Sequence, residues 1–235
     1  FFLMLKGNRV LATGIRGLIR TRCYCVSNPP SFRLPFQKST SISLEQILPL
    51  EEYKQIRPKV LSHQSRLRKE RRVHIGPHAS IIFENFDLMW SQIHEMLFIE
   101  GGGEEQAKEE IEAYEPLVPK GNNLVFTLMF EIDDKKRRDA ILFQLGHVED
   151  SVTLRFNNHS IAAVSASADD IDRTTADGKT SSIHFLRFDL SPEQTKDFKT
   201  LSPDSSAEIK VAHKNYPHSV CISSSLLSQL QEDLN

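Results

Sequence analysis

The sequence predicts an α+β fold in a single domain: a mainly antiparallel sheet with helices packed on it. Three observations carry this. Short runs of alternating apolar residues, the mark of half-buried strands, stand among longer runs with the period of an amphipathic helix. Turn dipeptides at Gly76-Pro77 and Asn157-Asn158 join neighbouring strand runs, which favours antiparallel pairing. The region they occupy, residues 45–235, is long enough for one proper core. No internal repeat is visible.

Ser43-Leu44-Glu45-Gln46 reads as a capping box opening a short helix that Pro49 ends. A second helical stretch follows from Glu51 to about Arg71, interrupted or restarted at Pro58. Val73–Ile75 and Ala79–Glu84 form two short strands around the Gly76-Pro77 turn. Asn85 caps a helix over 86–100, with Phe86, Met89, Trp90, Ile93, Met96 and Leu97 on one face. Gly101-Gly102-Gly103 stops it, and Glu104–Glu115 makes another helix with Ala107, Ile111 and Tyr114 inward. Leu124–Ile132 is the strongest strand; both its faces carry apolar residues, so it is central. Asp133 and Asp134 start a helix that ends at Gly146. Val152–Phe156 and Ser160–Val164 pair through Asn157-Asn158, and a long polar loop fills 165–181. A strand at Ile183–Asp189, a helix from Ser191-Pro192, a strand near Ala207–His213 and a helix over 224–234 complete the chain.

Ahead of Glu45, residues 1–44 contain seven basic residues and no carboxylate. That composition predicts a mitochondrial transit peptide, disordered or removed, and hence a matrix location. Leu11, Ile15, Leu18 and Ile19 fall at helical spacing opposite Arg9, Arg16 and Arg20. Arg22-Cys23-Tyr24-Cys25 resembles an arginine-directed processing site, and Met4 is a plausible initiator. A secretory signal fits worse, because Lys6, Gly7, Asn8 and Arg9 break the apolar start at once. A disordered basic tail is the plainer alternative. No window supplies the ~20 apolar residues of a membrane span.

Removing the leader changes the charge balance. The whole chain carries −2; the domain keeps 22 of the 29 basic groups against all 31 acids, which is −9. That sign disfavours nucleic acid or an anionic membrane surface as partner. Cys221 alone remains, so no disulfide framework or zinc ribbon is available.

Local catalytic signatures are missing: there is no phosphate-binding loop, dinucleotide fingerprint, HExxH pair or GxSxG elbow. The densest polar cluster starts with Arg66, Arg68, Lys69, Arg71 and Arg72, five positive charges in seven residues. A solvated helix end explains them; an anion site or an acidic partner is the sharper reading. Downstream, His74 and His78 bracket the Gly-Pro turn, Glu84 ends the next strand, and Gln92, His94, Glu95 and Glu100 follow on a helix. Imidazole and carboxylate together suit iron or zinc, which makes His74, His78, Glu84 and Glu95 the candidate ligands. Their spacing argues for ordinary ion pairing instead, since Glu95 and Glu100 do not share a helix face. Gln92 and Glu95 either join Arg71 or Arg72 in a buried network or face solvent. His184 and Arg187 lie in an otherwise apolar strand, as a structural pair or as an anchor for an anionic ligand. Cys221 has His213 and His218 nearby in sequence, but Val220 and Ile222 around it suggest an inert buried thiol.

Several of these blocks carry a family resemblance. Leu50-Glu51-Glu52-Tyr53, Arg71-Arg72-Val73-His74-Ile75-Gly76-Pro77-His78, Phe83-Glu84-Asn85 and Gln92-Ile93-His94-Glu95-Met96 resemble the mostly bacterial domain-of-unknown-function family numbered 3501. Glu112–Pro119 and His184-Phe185-Leu186-Arg187-Phe188 fit the same pattern. The likeness spans about 45–230. It implies no established activity. It does imply a redox or peroxide-defence setting, because genes of bacterial relatives sit near those for rubrerythrin-like and iron–sulfur proteins.

The expectation is therefore a matrix accessory or interaction protein of a redox system, without demonstrated catalysis. Its partner would be rubrerythrin-like or an iron–sulfur protein, docking on the acidic body and the basic segment 66–72. The alternatives are a metalloprotein or enzyme using the His/Glu cluster of 74–100, with Arg72, Gln92, His184 and Arg187 beside it, and a binder of an anionic small molecule.

Overall fold

The computed structural model describes residues 39–167, 173–202 and 205–234. The basic leader through Lys38, with its expected processing region, lies outside them, as do residues 168–172 of the polar loop.

After a single 3-10 turn at Leu44–Gln46 the chain forms α1 (Leu50–Glu70), β1 (Arg72–Ile75), β2 (Ala79–Phe83), α2 (Phe86–Glu100) and α3 (Glu104–Tyr114). Then come β3 (Asn123–Phe130), α4 (Lys135–Leu142), β4 (Val152–Phe156), β5 (His159–Ala162), β6 (Val164–Ser165) and β7 (Ile183–Asp189). The last elements are α5 (Pro192–Lys199), β8 (Ala207–His213), β9 (Tyr216–Cys221) and α6 (Ser224–Asp233). The α+β class holds, but the strands divide into two antiparallel sheets. One has the order β1-β2-β3-β7-β6, the other β5-β4-β8-β9.

Side-chain alternation packs the sheets together. Leu124, Phe126, Leu128 and Phe130 of β3 join Leu186 and Phe188 of β7 and, from the second sheet, Leu154, Phe156, Ile209 and Val211 in one buried cluster. Phe126 stacks on Phe188 with ring centroids 4.7 Å apart. Phe198 of α5 and Leu226, Leu227 and Leu230 of α6 belong to the same cluster. The opposite face of the first sheet, with Ile82, Val125, Thr127 and Met129, is equally buried and needs a cover. The helices supply it: α2 is buried around nearly its whole circumference and packs between α1 and α3. Asn85 caps α2 as expected, accepting from the Leu88 amide, and Gly101 ends it in a left-handed turn.

The expected strand Ser160–Val164 divides into β5 and β6, one in each sheet, and α4 ends at Leu142 rather than at Gly146. Three further features differ from the sequence expectation. Pro58 sits inside α1 without interrupting it. The edge strand β9 was not expected: Tyr216-Pro217-His218-Ser219 lacks apolar alternation, and only the pairing with β8 defines it. Residues 40–44, assigned to the leader by composition, are tied to the domain. Ile42 is buried, its amide contacts Glu115, and Lys120 Nζ donates to the Thr40 carbonyl.

Candidate functional site

The histidines of the Gly-Pro turn serve a clamp. Gly76 has φ +66°, and Tyr216 reaches over from β9. Its hydroxyl accepts from the His78 and Ala79 amides, each at 2.9 Å, and donates to the Ile75 carbonyl at 2.8 Å. A Cβ at Gly76 would lie 2.5 Å from the His218 ring and 2.8 Å from that hydroxyl, so only glycine fits. His74 is exposed beside the turn and His78 is half-buried. Arg72, two residues from His74 on the same strand face, holds Glu131 at 2.8 Å, and Ser80 donates to the same carboxylate.

Glu84 lies six residues of extended chain from His78, roughly 20 Å along the strand. It is fully buried and accepts from Thr127 Oγ1 at 2.6 Å; burial pushes its carboxyl above the usual range, while the Arg68 guanidinium opposes the shift. Arg71, 2% exposed, fastens α1 to the end of β2 and to the C-terminal helix. It donates to the carbonyls of Phe83 and Glu84 and pairs with Asp233. Gln92 is buried within 3.5 Å of the Tyr114 hydroxyl, whose pKa burial pushes up to about 12.

Glu95 points to α1. Arg57 grips both its oxygens at 2.8 Å and Tyr53 donates to it at 2.7 Å. The residue before it, His94, latches the 3-10 segment onto α2. Its Nδ1–H donates to the Trp90 carbonyl at 2.9 Å and its Nε2 accepts from the Leu48 amide at 3.0 Å. Trp90 Nε1 donates to Gln46 O alongside. Burial lowers the His94 pKa to about 4, so the ring is neutral and both nitrogens are matched. A cavity of about 280 Å³ beside it is lined mainly by aliphatic groups, among them Leu44, Leu48, Leu50, Leu97 and Ala107.

The expected metal set therefore does not assemble. His74 and His78 flank the turn, Glu84 is buried at the far end of β2, and Glu95 is held by Arg57. Among the described residues no three His, Cys, Asp or Glu side chains gather to hold a metal ion. The basic segment is also engaged: Arg66 pairs with Glu70, Arg71 with Asp233 and Arg72 with Glu131. Arg187 holds Asp189 at 2.9 Å and the Ala166 carbonyl at 2.8 Å. Cys221 is exposed on β9 rather than buried.

His184 is different. Register places it opposite Leu128, on the face of β7 that meets the second sheet, and it is 1% exposed. Its Nε2 lies 3.0 Å from the Ser181 carbonyl and 3.3 Å from Thr180 Oγ1. A carbonyl only accepts, so Nε2 carries the proton. Among the described residues Nδ1 has no hydrogen-bond partner, and it lies 3.6 Å from Glu149 Oε2. Both border a cavity of about 250 Å³ whose walls include Ala163, Val164, Ser165 and Leu186. Burial lowers the His184 pKa to about 4, with the nearby Arg173 guanidinium adding to the effect. The 3-10 turn Val148–Ser151 presents Glu149. It begins at left-handed His147, whose amide donates to Thr174 Oγ1. Nothing in the sequence distinguishes Glu149 from a surface acid; a Gly-turn ahead of it is the only local cue.

The sequence profile of the family described as "Protein of unknown function (DUF3501)" matches residues 41–234. A solved structure, a novel protein of unknown function from Burkholderia pseudomallei K96243, is 33% identical to this chain. It superposes with a TM-score of 0.74, covering 83% of this chain and 100% of its own. No curated protein matches. No described helix is long and apolar enough to cross a membrane.

Proposed function

We propose, for a chain that belongs to the DUF3501 family, the role of an accessory or interaction protein serving a redox system of the mitochondrial matrix. One observation carries the accessory part of this reading. Several of the polar residues that the sequence offered as a reaction centre join elements of this chain instead. Arg71 holds α6, Glu95 holds α1, Arg72 holds Glu131, and the Gly-Pro turn is gripped from β9. Groups that a reaction needs free here fasten one element to the next. The compartment rests on the acid-free leader. The redox setting, and a rubrerythrin-like or iron–sulfur partner, rest on the family resemblance.

Chemical cross-linking in intact mitochondria, with the full chain at its native level, tests this. The expected product joins the chain to an iron–sulfur or rubrerythrin-like matrix protein. Untagged purified protein carrying stoichiometric iron or zinc, lost on changing His74 and His78 to Ala, would overturn the reading in favour of a metalloprotein.

A further inference from the structure

We infer that the cavity beside His94 is a docking groove for a basic amphipathic helix of a protein partner. This surface deepens the accessory reading and rests on it. The 3-10 turn, the start of α1, the end of α2 and the start of α3 form the walls. Leu44, Ile47, Leu48 and Leu50 line the groove yet stay only half-buried, beside the buried Leu97 and Ala107. Aliphatic surface left in contact with water is a driving force that a partner recovers by covering it. Polar side chains of the wall are already engaged. His94 has both ring nitrogens matched, by the Trp90 carbonyl and the Leu48 amide, and the Tyr53 hydroxyl donates to Glu95. Recognition inside the groove is therefore apolar.

The rim sets the charge of the occupant. Residues 44–52 and 97–105, which supply most of the wall, carry six carboxylates and no basic residue. These are Glu45, Glu51, Glu52, Glu100, Glu104 and Glu105, all exposed. The next cations along the chain, Lys54 and Lys108, pair with Glu51 and with Glu104 and Glu105. Six carboxylates against two ammonium groups leave an excess of four negative charges around an apolar cleft. The complement is a surface with aliphatic side chains at its centre and Lys or Arg at its edge. The walls also fix the mode of binding. They come from helices, a 3-10 turn and the loops between them, so no strand edge is present to pair with an extended peptide. A helix laid into the groove is the mode that remains, and a volume of about 280 Å³ suits its few anchoring side chains.

The probe is a short fluorescein-labelled peptide of leucine and lysine at amphipathic helical spacing, titrated with the full chain at neutral pH and followed by anisotropy. We expect saturable binding with Kd on the order of 10 μM, weakening as salt is raised. The same peptide with glutamate in place of every lysine should not bind. Leu44→Ser combined with Leu50→Ser should weaken binding about tenfold or more. Glu45→Lys combined with Glu104→Lys, both at exposed positions, should weaken it to a similar degree and decides the matter if the apolar variant fails to fold. Four results would each overturn the groove: no saturable binding, equal binding of the glutamate peptide, unchanged affinity in either double variant that folds, or a dimer in sedimentation that Leu44→Ser with Leu50→Ser dissolves. The last would make the groove an interface between copies of this chain. Peptide binding without the mitochondrial cross-link counts against the redox accessory role alone, and the cross-link without peptide binding counts against the groove alone.

Discussion

His94 and His184 are matched in every respect but one. Each is 1% exposed, each is held neutral by burial with a pKa near 4, and each donates one ring N–H to a backbone carbonyl. They differ at the second nitrogen. His94 Nε2 accepts from the Leu48 amide and thereby latches the N-terminal segment to α2. His184 Nδ1 has no donor among the described residues and borders a cavity. Burial and a shifted pKa therefore do not separate a histidine with both nitrogens matched from one that keeps a bare acceptor. The count of satisfied nitrogens does.

The largest effect should test what the two histidines share. Each has a folded pKa below its unfolded value, so protonation favours the unfolded chain. The stability they contribute is complete above pH ~6.5 and falls as pH drops towards 4, by roughly 3 kcal/mol for each. Glu84 acts in the opposite sense: its raised carboxyl favours the fold as protons are added. Urea denaturation from pH 7 to pH 4 should show a net loss, and His94→Leu should flatten the slope. A pH-independent midpoint would contradict the burial account.

Next in size is Arg71→Met, which strands Asp233 and two carbonyls and should cost about 3–5 kcal/mol in urea denaturation. A cost below about 1 kcal/mol would mean that α6 is held by its leucines alone. The sharpest contrast pairs His94→Leu with His184→Leu. The first removes a matched acceptor and donor and should cost about 2–3 kcal/mol. The second also removes an unmatched nitrogen and should cost about 1 kcal/mol or less. Equal costs would erase the distinction. Arg72→Ala, which breaks a half-exposed pair with Glu131, should cost less than about 1 kcal/mol.

Much of the fold was legible in the sequence because its signals are local. The apolar alternation of Leu124–Phe130, the Asn85 cap and the Asn157-Asn158 turn each specify an element without reference to the rest of the chain. Strand β9 was illegible because its only fully buried side chain is Tyr216, and its role is a hydroxyl placed on a turn 138 residues away. The polar residues divide the same way. His184 stood out as a polar group in an apolar strand, but its significance depends on Glu149 from a distant turn and on a carbonyl proton acceptor. Neither leaves a periodic trace. The grouping of His74, His78, Glu84 and Glu95 failed as a metal set for the converse reason: closeness in sequence was undone by a strand that carries Glu84 away from the turn.

The tautomers of the two rings test the central claim most directly. A long-range 1H–15N correlation spectrum of the full chain at pH 7 reports which nitrogen of each ring carries the proton. The account predicts opposite forms: Nδ1–H for His94, set by the Trp90 carbonyl, and Nε2–H with a bare Nδ1 for His184, set by the Ser181 carbonyl. A doubly protonated His184 paired with Glu149 would contradict it, because Nδ1 would then be a donor rather than a bare acceptor.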